Sequence, residues 1–151
     1  MCKVLANGYD CIKLDFGQSC VPWEVNYASG IAGGNDNLPT TCSSINSGDD
    51  CAIHACIVEG RFVLDIFQAI VVQQATVDSS LSNANGFQQD QICNFGTGQI
   101  QGPVECCGAY PERFKYRTNQ GQNGCCVSEV YDTGMMECCA NGSVDIIGNC
   151  P

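Results

Sequence analysis

Residues 125–139, CCVSEVYDTGMMECC, place two adjacent cysteine pairs within fifteen residues, and a third doublet, Cys106-Cys107, stands upstream. Neighbouring cysteines in an extended strand point to opposite faces. A bridge between them is strained, so each member bonds elsewhere. One doublet therefore ties its strand to two other segments at once. The same divergence argues against zinc, whose structural sites draw sulfurs together from CxxC hooks. It also argues against dithiol redox catalysis, which uses a CxxC at a helix start. The chain contains no CxxC. The doublets brace.

Fourteen cysteines in 151 residues reach the level of a disulfide scaffold. Six lie early (Cys2, Cys11, Cys20, Cys42, Cys51, Cys56) and eight late (Cys93, Cys106, Cys107, Cys125, Cys126, Cys138, Cys139, Cys150), with none between Arg61 and Ile92. That division predicts two separately stapled modules. All fourteen are expected in bridges, with connectivity left open because eight cysteines alone allow about 105 pairings. Bridges of this density persist in an oxidising compartment, so an extracellular chain is expected. MCKVLANGYDC lacks a basic segment followed by an apolar run. The chain is accordingly read as a mature or excised product, or Met1 as other than the translational start.

Sixteen acidic against six basic residues give a net charge of −10. That field repels nucleic acid and anionic lipid and attracts calcium, cationic proteins or mineral surfaces weakly. No stretch matches a calcium-binding loop; the nearest, GGNDN at 33–37, reads as a turn. No cofactor is implied. The longest apolar segment, Ala52–Val72, carries His54, Glu59, Arg61, Asp65 and Gln68, too polar for membrane insertion.

The fold class expected is a small disulfide-rich α+β chain. A helical stapled module (1–76) precedes a polar linker (77–104) and a doublet-cysteine module (105–151) of irregular or short β structure. Within the first forty residues, expected to be irregular or partly helical, the glycine and asparagine clusters at Asn7-Gly8 and 33–37, with Pro22 and Pro39, predict turns. Ser47, Asp49 or Asp50 can cap a helix running from about Asp50 to Gln74, with Gly60 as a kink. Phe62, Ile66, Phe67 and Ile70 lie on its apolar surface at helical spacing, and are the candidate interface with another module or another chain.

Other residues receive plainer readings. His54, the sole histidine, lies in CAIHAC and reads as a packed helix residue. Trp23 beside Pro22 reads as a packing anchor. Arg113, Lys115 and Arg117 form the only basic cluster, expected on a solvated strand face. Asn141 heads an Asn-Gly-Ser glycosylation sequon in a loop. No G-x-S-x-G nucleophile elbow occurs.

ECCGAYPERFKYRTNQGQNG, CCVSEVYDTGMME and CCANGSVDIIGNC each carry a doublet, and Tyr110 and Tyr131 follow the first two. Residues 105–150 thus resemble the galaxin-type di-cysteine repeats of secreted invertebrate matrix proteins. The resemblance covers about a third of the chain and departs in having three unevenly spaced pairs. It implies a structural or matrix role, without catalytic residues. More weakly, TTCSSINSGDDCAIHACIVEGRF resembles secreted phospholipase A2, through Cys42, Cys51, Cys56 and Glu59. Where that family's histidine–aspartate pair would fall stands Tyr9-Asp10, and tyrosine is no base near neutral pH. The resemblance implies a non-catalytic domain of that kind. The function expected is a secreted structural, matrix or fibre-forming protein, a homo-oligomer or a partner of other matrix proteins. The alternatives are a phospholipase-like enzyme or toxin and a glycan- or protein-binding module.

Overall fold

The computed structural model describes residues 2–29, 37–69 and 103–151. Three helices, α1 (Cys2–Phe16), α2 (Leu38–Ile45) and α3 (Asp50–Phe67), precede six short strands: β1 (Val104–Cys107), β2 (Phe114–Arg117), β3 (Asn123–Cys126), β4 (Glu129–Asp132), β5 (Met136–Cys138) and β6 (Val144–Ile146). The fold is a small disulfide-rich α+β arrangement.

α1 makes the first part of the chain helical, the second of the two readings its sequence allows, and corrects the turn expected at Asn7-Gly8. Leu5, Tyr9, Ile12 and Phe16 recur on one face, the spacing of a core-facing helix. Asn7-Gly8 lies inside this helix and makes no turn. Glycine weakens a helix interior by about 1 kcal/mol, and here close packing explains it. A Cβ on Gly8 would stand 2.7 Å from Val58 Cγ1, so only glycine lets α1 approach α3 this closely.

α2 begins at Asn37, whose side chain accepts from the Thr40 amide, with Pro39 in its first turn where no amide is needed. Asn46, at its end, clamps the preceding segment by accepting from the Ala28 amide at 2.8 Å and donating to the Ala28 carbonyl at 3.0 Å. Asp49 caps α3, accepting from the Ala52 amide at 3.0 Å. α3 is continuous through the buried Gly60, with no kink there, as far as Phe67, and its backbone turn widens at Gln68; the expected end at Gln74 lies outside the described residues. Residues 70–102, which include Ile70, most of the polar linker and Cys93, lie outside the described residues, as do 30–36.

The three helices enclose two small clusters: Leu5, Tyr9, Ile12, Cys20 and Val58, and beside it Cys42, Cys56 and Ile57. Tyr110, from the β1–β2 loop, packs against both. Among the described residues, seven of the fifteen buried core residues are half-cystines, so sulfur makes up much of this interior. In 103–151 the buried apolar residues are Cys107, Cys126 and Cys139 alone.

The strands pair as three antiparallel hairpins, β1–β2, β3–β4 and β5–β6. Aligned on the first cysteine of each doublet, they share one register: Cys106 faces Lys115, Cys125 faces Val130 and Cys138 faces Val144. One backbone bond closes the outer end of each hairpin, from Thr118 to Pro103, Thr133 to Gln122 and Ile147 to Met135. The doublet repeat in the sequence is therefore a structural repeat.

Candidate functional site

Each doublet has its second cysteine buried and its first less so, Cys106 and Cys125 half-buried and Cys138 exposed, because neighbours along a strand point to opposite sides. The bridges then run from unit to unit. Cys107 joins Cys125, Cys126 joins Cys138, and Cys139 joins Cys150. Every link takes the second cysteine of one doublet to the first cysteine that follows. The helices close Cys20–Cys51 and Cys42–Cys56 among themselves.

Cys11–Cys106 departs from separate stapling: it joins the two halves across a sequence separation of 95. No rule of spacing points to this pair, because Cys11 becomes a neighbour of Cys106 only once α1 lies along β1 and β2. The side chain of Cys2 and the whole of Cys93 lie outside the described residues.

The basic cluster works at the same junction, which corrects its reading as a solvated face. Arg113 grips Asp15 with two nitrogens, at 2.7 and 3.1 Å, and Lys115 pairs with Asp10. The Tyr110 hydroxyl donates to Asp15 at 2.9 Å. The acidic partner of the cluster is α1 of its own chain. Asp10 thus serves in an ion pair across the junction.

Glu59 also has partners. It accepts hydrogen bonds from the Tyr9 hydroxyl, at 2.5 Å, and from Tyr27. Burial first, then the hydrogen bond and the carboxylate charge, hold both phenols well above their ordinary range. These groups lock the α1–α3 junction with neutral tyrosines. His54 lies between the rings of Phe16 and Tyr110, with centroids 4.6 and 4.5 Å away, and its Nδ1 stands 2.8 Å from the Asp50 carbonyl. It is a packed helix residue, as its context in the sequence suggests.

Trp23, read as a packing anchor, is 54 % exposed. Its ring meets Tyr9 at 5.8 Å and carries the Lys13 ammonium 5.0 Å from its centroid. Asn141 is exposed in the β5–β6 turn, where its Oδ1 accepts from the Ser143 amide at 3.0 Å and hydroxyl at 2.8 Å. Among the interface candidates, Phe62 packs on the first cluster, Ile66 is half-buried, and Phe67 is exposed with Val63 one turn away. Sequence reasoning passed over a second exposed apolar group, Met135, Ile146 and Ile147 on the third hairpin. Two adjacent isoleucines after Asp145 offer no periodicity to flag it.

Among the described residues no group of three or more His, Cys, Asp or Glu is placed to hold a metal ion. No described helix is long and apolar enough to cross a membrane. No family model, no curated protein and no solved structure matches the chain.

Proposed function

We propose that the protein is an extracellular structural component, a matrix or fibre subunit that assembles through contacts between copies. One observation carries the reading: three hairpins in one register are chained by bridges that pass from each unit to the next. The first unit is bonded to a helical body through Cys11–Cys106. Tension applied along such a ladder meets covalent links at every step. The resemblance of 105–150 to galaxin-type repeats supports the same role.

The reading assigns no catalysis. The hydroxyls of Tyr9 and Tyr27 are committed to Glu59, and the sole histidine is committed to a ring stack and a backbone carbonyl. The resemblance to phospholipase A2 then belongs to a non-catalytic domain. Asn141, exposed in its turn, is the proposed glycan acceptor.

Assembly is assigned first to the exposed end of α3. Sedimentation velocity of the oxidised chain should show species above the monomer, and Phe67→Asp should remove them while non-reducing peptide mapping finds every bridge in place. Electron microscopy of native material would show the polymer directly. A wild-type chain that stays monomeric, or a variant with an unchanged profile, would count against the assignment.

A further inference from the structure

A cleft of about 610 Å³ opens where the β1–β2 loop lies over the helices, within the size range of small-molecule sites. Phe16, Ile53, Ile57 and Tyr110 supply its apolar wall, from α1, α3 and the loop. Pro39 and Ser43 of α2 complete the lining. All three helices and the first hairpin thus contribute, so the cleft is whole only while that hairpin is docked through Cys11–Cys106.

Its polar groups select the charge of an occupant. Arg113, the only cationic side chain in the lining, is committed to Asp15 and to the Gly108 carbonyl. The Tyr110 hydroxyl also donates to Asp15. The Asp50 carboxylate has no hydrogen bond or ion pair among the described residues, since Asp49 is the cap of α3. His54 Nδ1 stands 2.8 Å from the Asp50 carbonyl. A carbonyl only accepts, so Nδ1 donates, and the neutral ring leaves Nε2 as an acceptor. A carboxylate and an imidazole nitrogen, both acceptors, are therefore left beside the Phe16–His54–Tyr110 ring stack. A neighbouring cleft of about 550 Å³ shares Phe16 and Asp50 and adds Glu24 and Asp49, with no lysine or arginine in its lining. Clefts lined by one sign of charge concentrate the opposite ion, and aromatic faces favour cations. We propose that the larger cleft binds an organic ammonium, its aryl or alkyl body against Phe16, Ile53 and Tyr110 and its charge at Asp50. Such binding is independent of assembly between copies.

His54, the sole histidine, is a built-in reporter, because its ring protons belong to one residue in the proton NMR spectrum of the whole oxidised chain. The probes are phenethylamine, phenethyl alcohol and phenylacetate, which share an aryl body and differ in charge, each titrated at fixed pH. The amine should shift the His54 ring resonances saturably, and the alcohol and the acid should bind several-fold more weakly. Asp50→Asn should weaken amine binding about two- to five-fold, the range of one exposed ion pair. The same variant should leave the alcohol and the helical circular dichroism unchanged. Phenylacetate binding as tightly as the amine would overturn the proposal. So would His54 resonances that stay unmoved at millimolar amine, or an Asp50→Asn chain that binds the amine like wild type.

Discussion

Val127 sits at φ +55° as the first residue of the two-residue turn between β3 and β4. Ser128 is not among the residues with positive φ, so the turn has the type II′ pattern, which favours glycine at its first position. The doublet of the first unit is followed by Gly108, at φ +92°. A left-handed conformation costs an L-residue about 1–2 kcal/mol, while glycine adds about 0.4–1 kcal/mol of unfolded-state freedom. The Val127 side chain is 70 % exposed, so little burial is lost on removing it. Val127→Gly should therefore stabilise the protein by about 0.5–1 kcal/mol, read as a rise in the midpoint of non-reducing denaturant unfolding. A lower midpoint would show that the side chain contributes more than its contacts suggest.

The tyrosines set a second residue-scale expectation. Tyr9, Tyr27 and Tyr110 are all held above the ordinary phenol value of 10.0, by burial first and then by hydrogen bonds to Glu59 or Asp15. An unfolded chain releases these protons as pH passes about 10, whereas the folded chain keeps them. Stability is therefore unaffected by these groups below that value and falls as pH rises above it. Melting temperature should drop between about pH 10 and about pH 11, with phenolate absorbance from these three residues appearing only on unfolding. Their free titration in the folded protein would contradict the buried network.

At the scale of elements, the junction between α1 and the first hairpin combines one bridge with two ion pairs. On a chain-entropy estimate, a bridge closing 95 residues is worth about 5 kcal/mol and one closing 11 residues about 3 kcal/mol. Cys11→Ser with Cys106→Ser should thus lower the melting temperature more than Cys139→Ser with Cys150→Ser. Helical circular dichroism should survive in the first pair while hairpin amides exchange faster. Equal losses would mean that the ion pairs carry the junction alone.

The same junction shows what the sequence could tell. The diverging doublets, the short strands and the Asp49 cap follow from local rules, alternation and capping, and all were legible. The 15-residue α1 was not. Asn7-Gly8 has the composition of a turn, and the reason for its glycine is Val58, fifty residues away along the chain. The basic cluster likewise reads as a solvated strand face, and Asp10 and Asp15 reach Lys115 and Arg113 only after α1 has formed. Long-range packing decided each point that spacing left open.

For the whole molecule, net charge and apolar faces act in opposite directions. Ten excess negative charges repel a neighbouring copy over the screening distance, about 30 Å at roughly 0.01 M salt and about 8 Å at roughly 0.15 M. In the proposed assembly, burial of Phe67 between copies would be short-ranged and would persist in salt. Assembly should accordingly be weakest at low ionic strength and strengthen as sodium chloride is added, which sedimentation at fixed protein concentration would read. An assembly held by ion pairs between copies would show the reverse order. Calcium and magnesium at matched ionic strength separate the remaining contribution. Calcium acting only through the general field of the acids would promote assembly no more than magnesium does. A clear excess effect of calcium would instead require a defined site, and would shift the cause of assembly from apolar contact to ion bridging.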